Sequence, residues 1–249
     1  MELYKALSSK YLTNITRQIT LAVNSLRLNL SECTLCKNKS SNHSLLCLHC
    51  QNDLPLFLQQ NLHGNLLNWP AIDKLFPRRE FDQLLCLSPY SWPIDEWLKQ
   101  FKYFHHFELA ELFAFLLNNL WQLHSRENND LALISVPLHI KKWQIRGYNQ
   151  AHLIASAFAQ KSGLPYLDTI LMRTIHQDSQ VGLSGKERRR SLKNAFELLD
   201  NHVPLPQNII LFDDVITTGT TANTICKLLK NKGVKHITVL TVALSLPHI

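Results

Sequence analysis

The chain has 249 residues, room for one full α/β domain plus a small appendage. Its formal charge is +7 and its pI is near 9.1, a balance that favours anionic partners such as phosphates or nucleic acid. Apolar runs long enough to span a bilayer are absent, and the first residues lack the basic, apolar, small-residue order of a signal peptide; this excludes membrane insertion and sets the expectation of a soluble, cytoplasmic protein.

Residues 1–30 carry Leu12, Ile15, Ile19, Val23 and Leu26 at helical spacing, which predicts an amphipathic helix packed on its neighbour or on a partner. Cys33 and Cys36, then Cys47 and Cys50, follow within 31–55. Two CxxC turns facing one another place four thiolates around one point, the donor set of a structural Zn²⁺ ribbon. Disulfides are the competing reading, disfavoured in an intracellular chain. His43 and His49 can each replace a thiolate, although four cysteines make the simpler set. Residues 56–79, with Pro70 and Pro77, read as a connection. Cys86 and Cys226 stand alone, Cys226 as a small buried hydrophobe.

The remainder, 80–249, reads as the α/β domain. Trp97 to Leu123 predicts one long helix rich in aromatics, among them Phe101, Phe104, Phe107, Phe113 and Trp121. Helical spacing favours core packing, while Lys99 and Lys102 beside these rings leave base stacking as the alternative. His105 and His106 are expected to face solvent. Leu131 to Val136 predicts a buried strand stopped by Pro137. Lys141, Lys142, Arg146, Gly147 and Asn149 follow in a basic loop, and a helix is expected from about Ala151 to Lys161. Cations at the carboxyl end of a parallel strand suit a pyrophosphate, with Arg146 as a bidentate donor. Residues 176–194, containing Gly182, Gly185, Lys186, Arg188, Arg189, Arg190 and Lys193, read as a mobile cationic cover or as a plain solvated charge run.

Residues 209–221, IILFDDVITTGTT, carry the most specific signal. Four apolar residues predict a strand covered on both faces. It ends in Asp213 and Asp214, and a helix with Ile225, Leu228 and Leu229 on one side opens after Thr217 to Thr221, with Gly233 at its expected end. Free amides at a helix start favour an anion, and Thr217, Thr218, Thr220 and Thr221 add hydroxyl donors. Gly219 is expected to let the backbone approach the ligand without a Cβ. The two carboxylates, repelled by a phosphate, suit ribose hydroxyls as ionised acceptors. Neither a GxxxxGK[ST] loop nor a GxGxxG turn is present.

This stretch is similar at every position to the phosphoribosyl pyrophosphate signature of type I phosphoribosyltransferases. With the cysteine ribbon and Leu54-Pro55, VPLHIKKWQIRGYNQ at 136–150 and QVGLSGKER at 180–188 leading to Ala195-Phe196, the chain from about residue 31 resembles the ComF family of competence proteins. Tyr148 stands where that family usually has Phe, and Ser191 where Asn is common. The resemblance implies a parallel-sheet type I phosphoribosyltransferase fold behind a zinc ribbon. It implies a 5′-phosphate on Thr217, Thr218, Gly219, Thr220 and Thr221, ribose on Asp213 and Asp214, and a pyrophosphate on Lys141, Lys142, Arg146 and Arg188, with Mg²⁺. It also implies a role in natural transformation, handling incoming single-stranded DNA alongside competence proteins such as a DNA translocase. An active transferase acting on a nucleobase or related nitrogen acceptor is the alternative, and no residue names that acceptor.

Overall fold

The computed structural model describes residues 32–38, 45–58, 62–124, 130–173, 195–199 and 204–246. The N-terminal helix expected over 1–30, His43, and the 176–194 segment with Arg188 lie outside the described residues. The chain divides into two compact units, residues 1–54 and 55–249.

The described part of the first unit is a pair of turns and one short helix, α1 (Leu48–Asn52). Lys37 takes φ 62°, and its amide donates to the Cys33 carbonyl at 2.9 Å, closing the first turn. The Thr34 amide and hydroxyl both donate to the Leu45 carbonyl, each at 2.8 Å, tying the two turns together. Cys33, Leu46, Cys50 and Leu54 are buried.

The second unit is built on a four-stranded parallel sheet: β1 (Gln83–Pro89), β2 (Leu131–Ser135), β5 (Asn208–Ile216) and β6 (His236–Leu244). Its order is β1-β6-β5-β2. β6 is buried from Ile237 to Leu244 and β5 from Ile209 to Phe212, as continuous apolar runs between two covered faces require. A short antiparallel pair, β3 (Leu171–Arg173) and β4 (Phe196–Leu198), lies outside this sheet.

The segment before β1 is more than a connection: α2 (Pro70–Asp73) and its flanks bury Leu66, Leu67, Ile72 and Phe76 in the core shared with β5 and β6. The single long helix expected after β1 is two, α3 (Ile94–Tyr103) and α4 (Glu108–His124). His105 has φ 59°, a left-handed conformation that a right-handed helix cannot continue. Likewise the basic loop after β2 is a helix, α5 (Ile140–Arg146), capped by the His139 side chain on the Lys141 amide at 3.2 Å. α6 (Gln150–Ser162) follows close to the expected span and packs against α4. Its N-cap Asn149 accepts from the Ala151 amide at 3.1 Å and donates to the Val136 carbonyl at 3.0 Å, fixing the helix start to the end of β2.

After β2 the chain runs through α5 and α6 to Tyr166, which bridges Leu133 in parallel at the outer edge of β2. After β5 it runs through α7 (Thr220–Asn231) to β6, on the opposite side. The winding direction therefore reverses between β2 and β5, and the crevice beyond their carboxyl ends is where such a sheet binds ligands.

Candidate functional site

Asp213 and Asp214 are the last acids of β5, at that reversal point. The Asp214 amide donates to Asp213 Oδ1 at 2.9 Å, which fixes one carboxylate against the strand. Neighbouring strand residues point to opposite faces, and the two acids meet different surroundings. Asp213 lines a shallow pocket of about 50 Å³ with Thr217, Thr218, Gly219, Thr220 and Thr221. Asp214 meets Lys102 from the end of α3, Nζ to Oδ2 2.5 Å, both side chains largely covered. That contact is an ion pair.

The electrostatics of the pair are unequal. Burial, then the adjacent Asp214 charge, pushes the Asp213 carboxyl well above the usual carboxylate range. Burial acts the same way on Asp214, but the Lys102 charge, with Arg146 beyond it, holds that carboxyl below its ordinary value. Burial and the repulsion between two like charges in one poorly solvated place work against both carboxylates being ionised at once.

The loop after β5 is shaped by packing as much as by any ligand. Gly219 has φ 69°, and a Cβ there would lie 2.8 Å from Phe76 Cδ1. The missing side chain permits a close approach to Phe76 in the core. Gly219 is also the N-cap of α7, and no side chain caps this helix, so its first amides are left for another acceptor. Thr218 and Thr220 share a hydroxyl hydrogen bond at 2.9 Å, while Thr217, Thr218 and Thr220 are exposed. Asn223 ties α7 to the segment before β1, donating to the Arg78 carbonyl at 2.8 Å and accepting from the Glu80 amide. Gly233, φ 97°, ends the helix as expected.

Of the expected pyrophosphate donors, Arg146 lies near enough to Asp214 for its charge to act there. It donates to Gln150 Oε1 at 3.0 Å and to the Tyr103 hydroxyl at 3.2 Å, with its guanidinium 5.0 Å from the Tyr103 ring centre. Lys141 and Lys142 are exposed on α5. Lys102 was not picked out as an anchor from sequence: on a helix expected to run from Trp97 to Leu123 it reads, with Lys99, as a cation beside aromatic rings. Lys99, grouped with it there, is spent on Asp95 at 2.9 Å along its own helix. Tyr148 has a use for the hydroxyl that Phe lacks, since it donates to the Phe101 carbonyl at the end of α3. A larger cavity of about 330 Å³ lies at the start of β2, lined by Asp130, Tyr166 and Asp168, away from this chemistry.

In the first unit the ligand atoms of Cys33, Cys36, Cys47 and Cys50 all lie within 4.8 Å of one another, with Cys36 Sγ and Cys47 Sγ 3.7 Å apart. A tetrahedral Zn²⁺ with bonds of about 2.3 Å needs sulfur separations of about 3.8 Å, so these residues fit that ion. Burial acts to raise the Cys33 thiol, but amides of Cys36, Cys47 and Leu35 outweigh it and bring it to about 6. Cys50 is pushed up by burial and by hydrogen bonds with the other three thiols. His49 is exposed and is not part of the cluster.

A parallel α/β domain with an uncapped helix start at its winding reversal, joined to a four-cysteine module able to hold a metal ion, defines the class. The chain is 35% identical over 199 residues to competence protein F of Haemophilus influenzae, covering 78% of this chain and 82% of that protein. It is 30% identical over 212 residues to the DNA utilization protein YhgH of Escherichia coli O157:H7, covering 83% and 87%. To competence protein ComFC of Streptococcus pneumoniae it is 26% identical over 160 residues, covering 61% and 64%. The chain belongs to the ComF family of competence proteins. No protein-family model matches it. Among solved structures it is similar to the glutamine phosphoribosylpyrophosphate amidotransferase of B. subtilis, 17% identical over 57% of this chain and 30% of that chain, TM-score 0.40. A second is adenine phosphoribosyltransferase of Leishmania tarentolae, 12% identical over 64% and 91%, TM-score 0.36. Those two likenesses add no weight to the sheet order and the family. Among the described residues no helix is long and apolar enough to cross a membrane.

Proposed function

We propose that this chain binds phosphoribosyl pyrophosphate with Mg²⁺ in the crevice beyond β2 and β5, and handles incoming single-stranded DNA during natural transformation in the cytoplasm. The observation that carries the first part is the uncapped start of α7 beside Asp213 at the winding reversal. The 5′-phosphate sits on the amides and hydroxyls of Thr217 to Thr221, and Asp213 and Asp214 take the ribose hydroxyls. Arg146, Lys141, Lys142 and Arg188 face the pyrophosphate, whose Mg²⁺ lowers its charge. The names of the relatives, competence and DNA utilization, support the DNA role. Cys33, Cys36, Cys47 and Cys50 hold Zn²⁺ as a structural ion, since four thiolates leave no open position for chemistry.

Calorimetric titration of phosphoribosyl pyrophosphate with Mg²⁺ into wild type and Asp213→Asn/Asp214→Asn tests the ligand. Binding by wild type and its loss in the variant are expected; equal binding, or none by wild type, overturns the reading. Pyrophosphate release across a panel of nucleobases in the same samples separates a binder from a transferase. Filter binding of oligonucleotides at low salt tests the DNA role, which falls if wild type retains none.

A further inference from the structure

The rim beside the candidate crevice exposes aromatic rings and cations together. Of the rings predicted on one helix after β1, Trp97, Phe101 and Phe113 are buried. Tyr103, Phe104 and Phe107, at the corner between α3 and α4, are 58%, 68% and 49% exposed. Ring packing holds this corner in place. Tyr148 lies against Phe107 at 4.9 Å between centres and against Phe101 and His105, each at 5.8 Å, and its hydroxyl anchors the Phe101 carbonyl.

α5 continues the same surface. It is seven residues long and buries none of them, exposing Trp143 beside Lys141 and Lys142. Burial of an apolar face is what ordinarily holds a helix on a domain, so Trp143 is unexplained by the fold. Arg146, at the end of α5, packs on Tyr103 and joins the two parts. Glu108, at the start of α4, meets His106 Nδ1 at 2.7 Å.

Flat rings interleaved with cations suit a ligand with alternating π faces and negative charges. A duplex hides its base faces, whereas a single strand offers bases to the rings and phosphates to the lysines. We propose that the α3–α4 corner and α5 form the stacking surface for single-stranded nucleic acid, with Phe104 and Trp143 as platforms and with Lys141 and Lys142, the lysines given to the pyrophosphate above, shared between that group and the phosphates of the strand. The assignment rests on the DNA-handling reading above and places the strand at the mouth of the phosphoribosyl crevice.

The test is fluorescence anisotropy with three labelled probes: a dT oligomer of about 20 nucleotides, an abasic strand of equal length, and a duplex. Phe104→Ala/Trp143→Ala should weaken dT binding by about tenfold per ring, with Tm and circular dichroism unchanged because both side chains are exposed. Lys141→Gln/Lys142→Gln should flatten the slope of log affinity against log salt by about 1.4, the weight of two phosphates on a single strand. Wild type should prefer dT to the abasic strand and to the duplex. If wild type binds no oligonucleotide, the DNA-handling reading falls and this surface with it. If wild type binds and the ring variant binds equally, this assignment alone is overturned. Equal affinity for the abasic strand also overturns it and assigns the rings to a protein contact.

Discussion

Lys102 Nζ and Asp214 Oδ2 meet at 2.5 Å, locking the last turn of α3 to the end of β5. The pair keeps one carboxylate ionised inside the crevice while its neighbour Asp213 is biased toward the protonated form. A ribose diol arriving there meets one acceptor held by a cation and one group able to keep its proton.

Removing that cation should show in ligand binding and in its pH profile. Lys102→Met is expected to weaken phosphoribosyl pyrophosphate binding roughly tenfold, equivalent to about 1.4 kcal/mol. The lowered pKa of Asp214 means that the ion pair's stability is present above the ordinary aspartate value and is lost as pH falls through the folded one. Without Lys102 the folded value rises, so the acid limb of the affinity profile should move to higher pH. Lys102→Arg should restore both affinity and profile. Titration calorimetry at several pH values decides it, and an unchanged profile in Lys102→Met would sink the role given to Lys102.

Asp213 carries the opposite sign. Its folded pKa is raised by burial and by Asp214, so ionisation costs stability as pH climbs from the unfolded value of about 3.9 toward the folded one. Asp213→Asn removes a charge that the site resists. It should raise Tm at neutral pH by about 2–4 °C per kcal/mol relieved, with no gain below about pH 4, where both states hold the proton. Ligand affinity should fall in the same variant. Thermal melts across pH check this, and a variant less stable at neutral pH would refute it.

How much of this was legible from sequence depends on range. The IILFDDVI strand, the TTGTT turn and its helix are local patterns, and the spacing of Cys33, Cys36, Cys47 and Cys50 names its own chemistry. Lys102 was not legible, because its partner lies across the sheet and the order β1-β6-β5-β2 cannot be read from periodicity. The break at His105 was hidden by flanking residues that fit a helix on both sides, with neither Gly nor Pro to mark the turn. α5 was hidden by the opposite fault: IKKWQIR lacks a buried face, so no apolar stripe announced it. Phe76, assigned to a connection, proved to be what Gly219 accommodates.

That last contact yields a coupling that can be measured. Gly219→Ala forces a left-handed φ on alanine and drives its Cβ into Phe76. The conformation alone costs about 1–2 kcal/mol, and the clash adds to it. Phe76→Leu clears ring atoms from that position and relieves the second part only. A double-mutant cycle in urea should therefore give a favourable coupling on the order of 1 kcal/mol between the two substitutions, within the range for residues in contact. Phosphoribosyl pyrophosphate affinity should drop in Gly219→Ala even where the protein remains folded, because the amides at the start of α7 shift. Strict additivity would show that Phe76 does not set the loop.

The cysteine module yields the last prediction. Four sulfurs within 4.8 Å of one another, two of them 3.7 Å apart, should take up one Zn²⁺ per chain, measured by elemental analysis of the purified protein. Cys33→Ser/Cys36→Ser should abolish uptake. Binding requires thiolates, so metal should be released on acidification and retained above neutrality. A unit with only Cys33, Leu46, Cys50 and Leu54 buried among its described residues has little core of its own, and small metal modules draw their folding free energy from the ion. Chelation should therefore open residues 32–54 to protease. The candidate phosphoribosyl crevice lies wholly within 55–249, so its affinity for the ligand should change by less than about twofold, below 0.5 kcal/mol. Full zinc occupancy in the double variant would overturn the assignment of the ligands, and loss of the crevice on chelation would show that the ion stabilises more than its own unit.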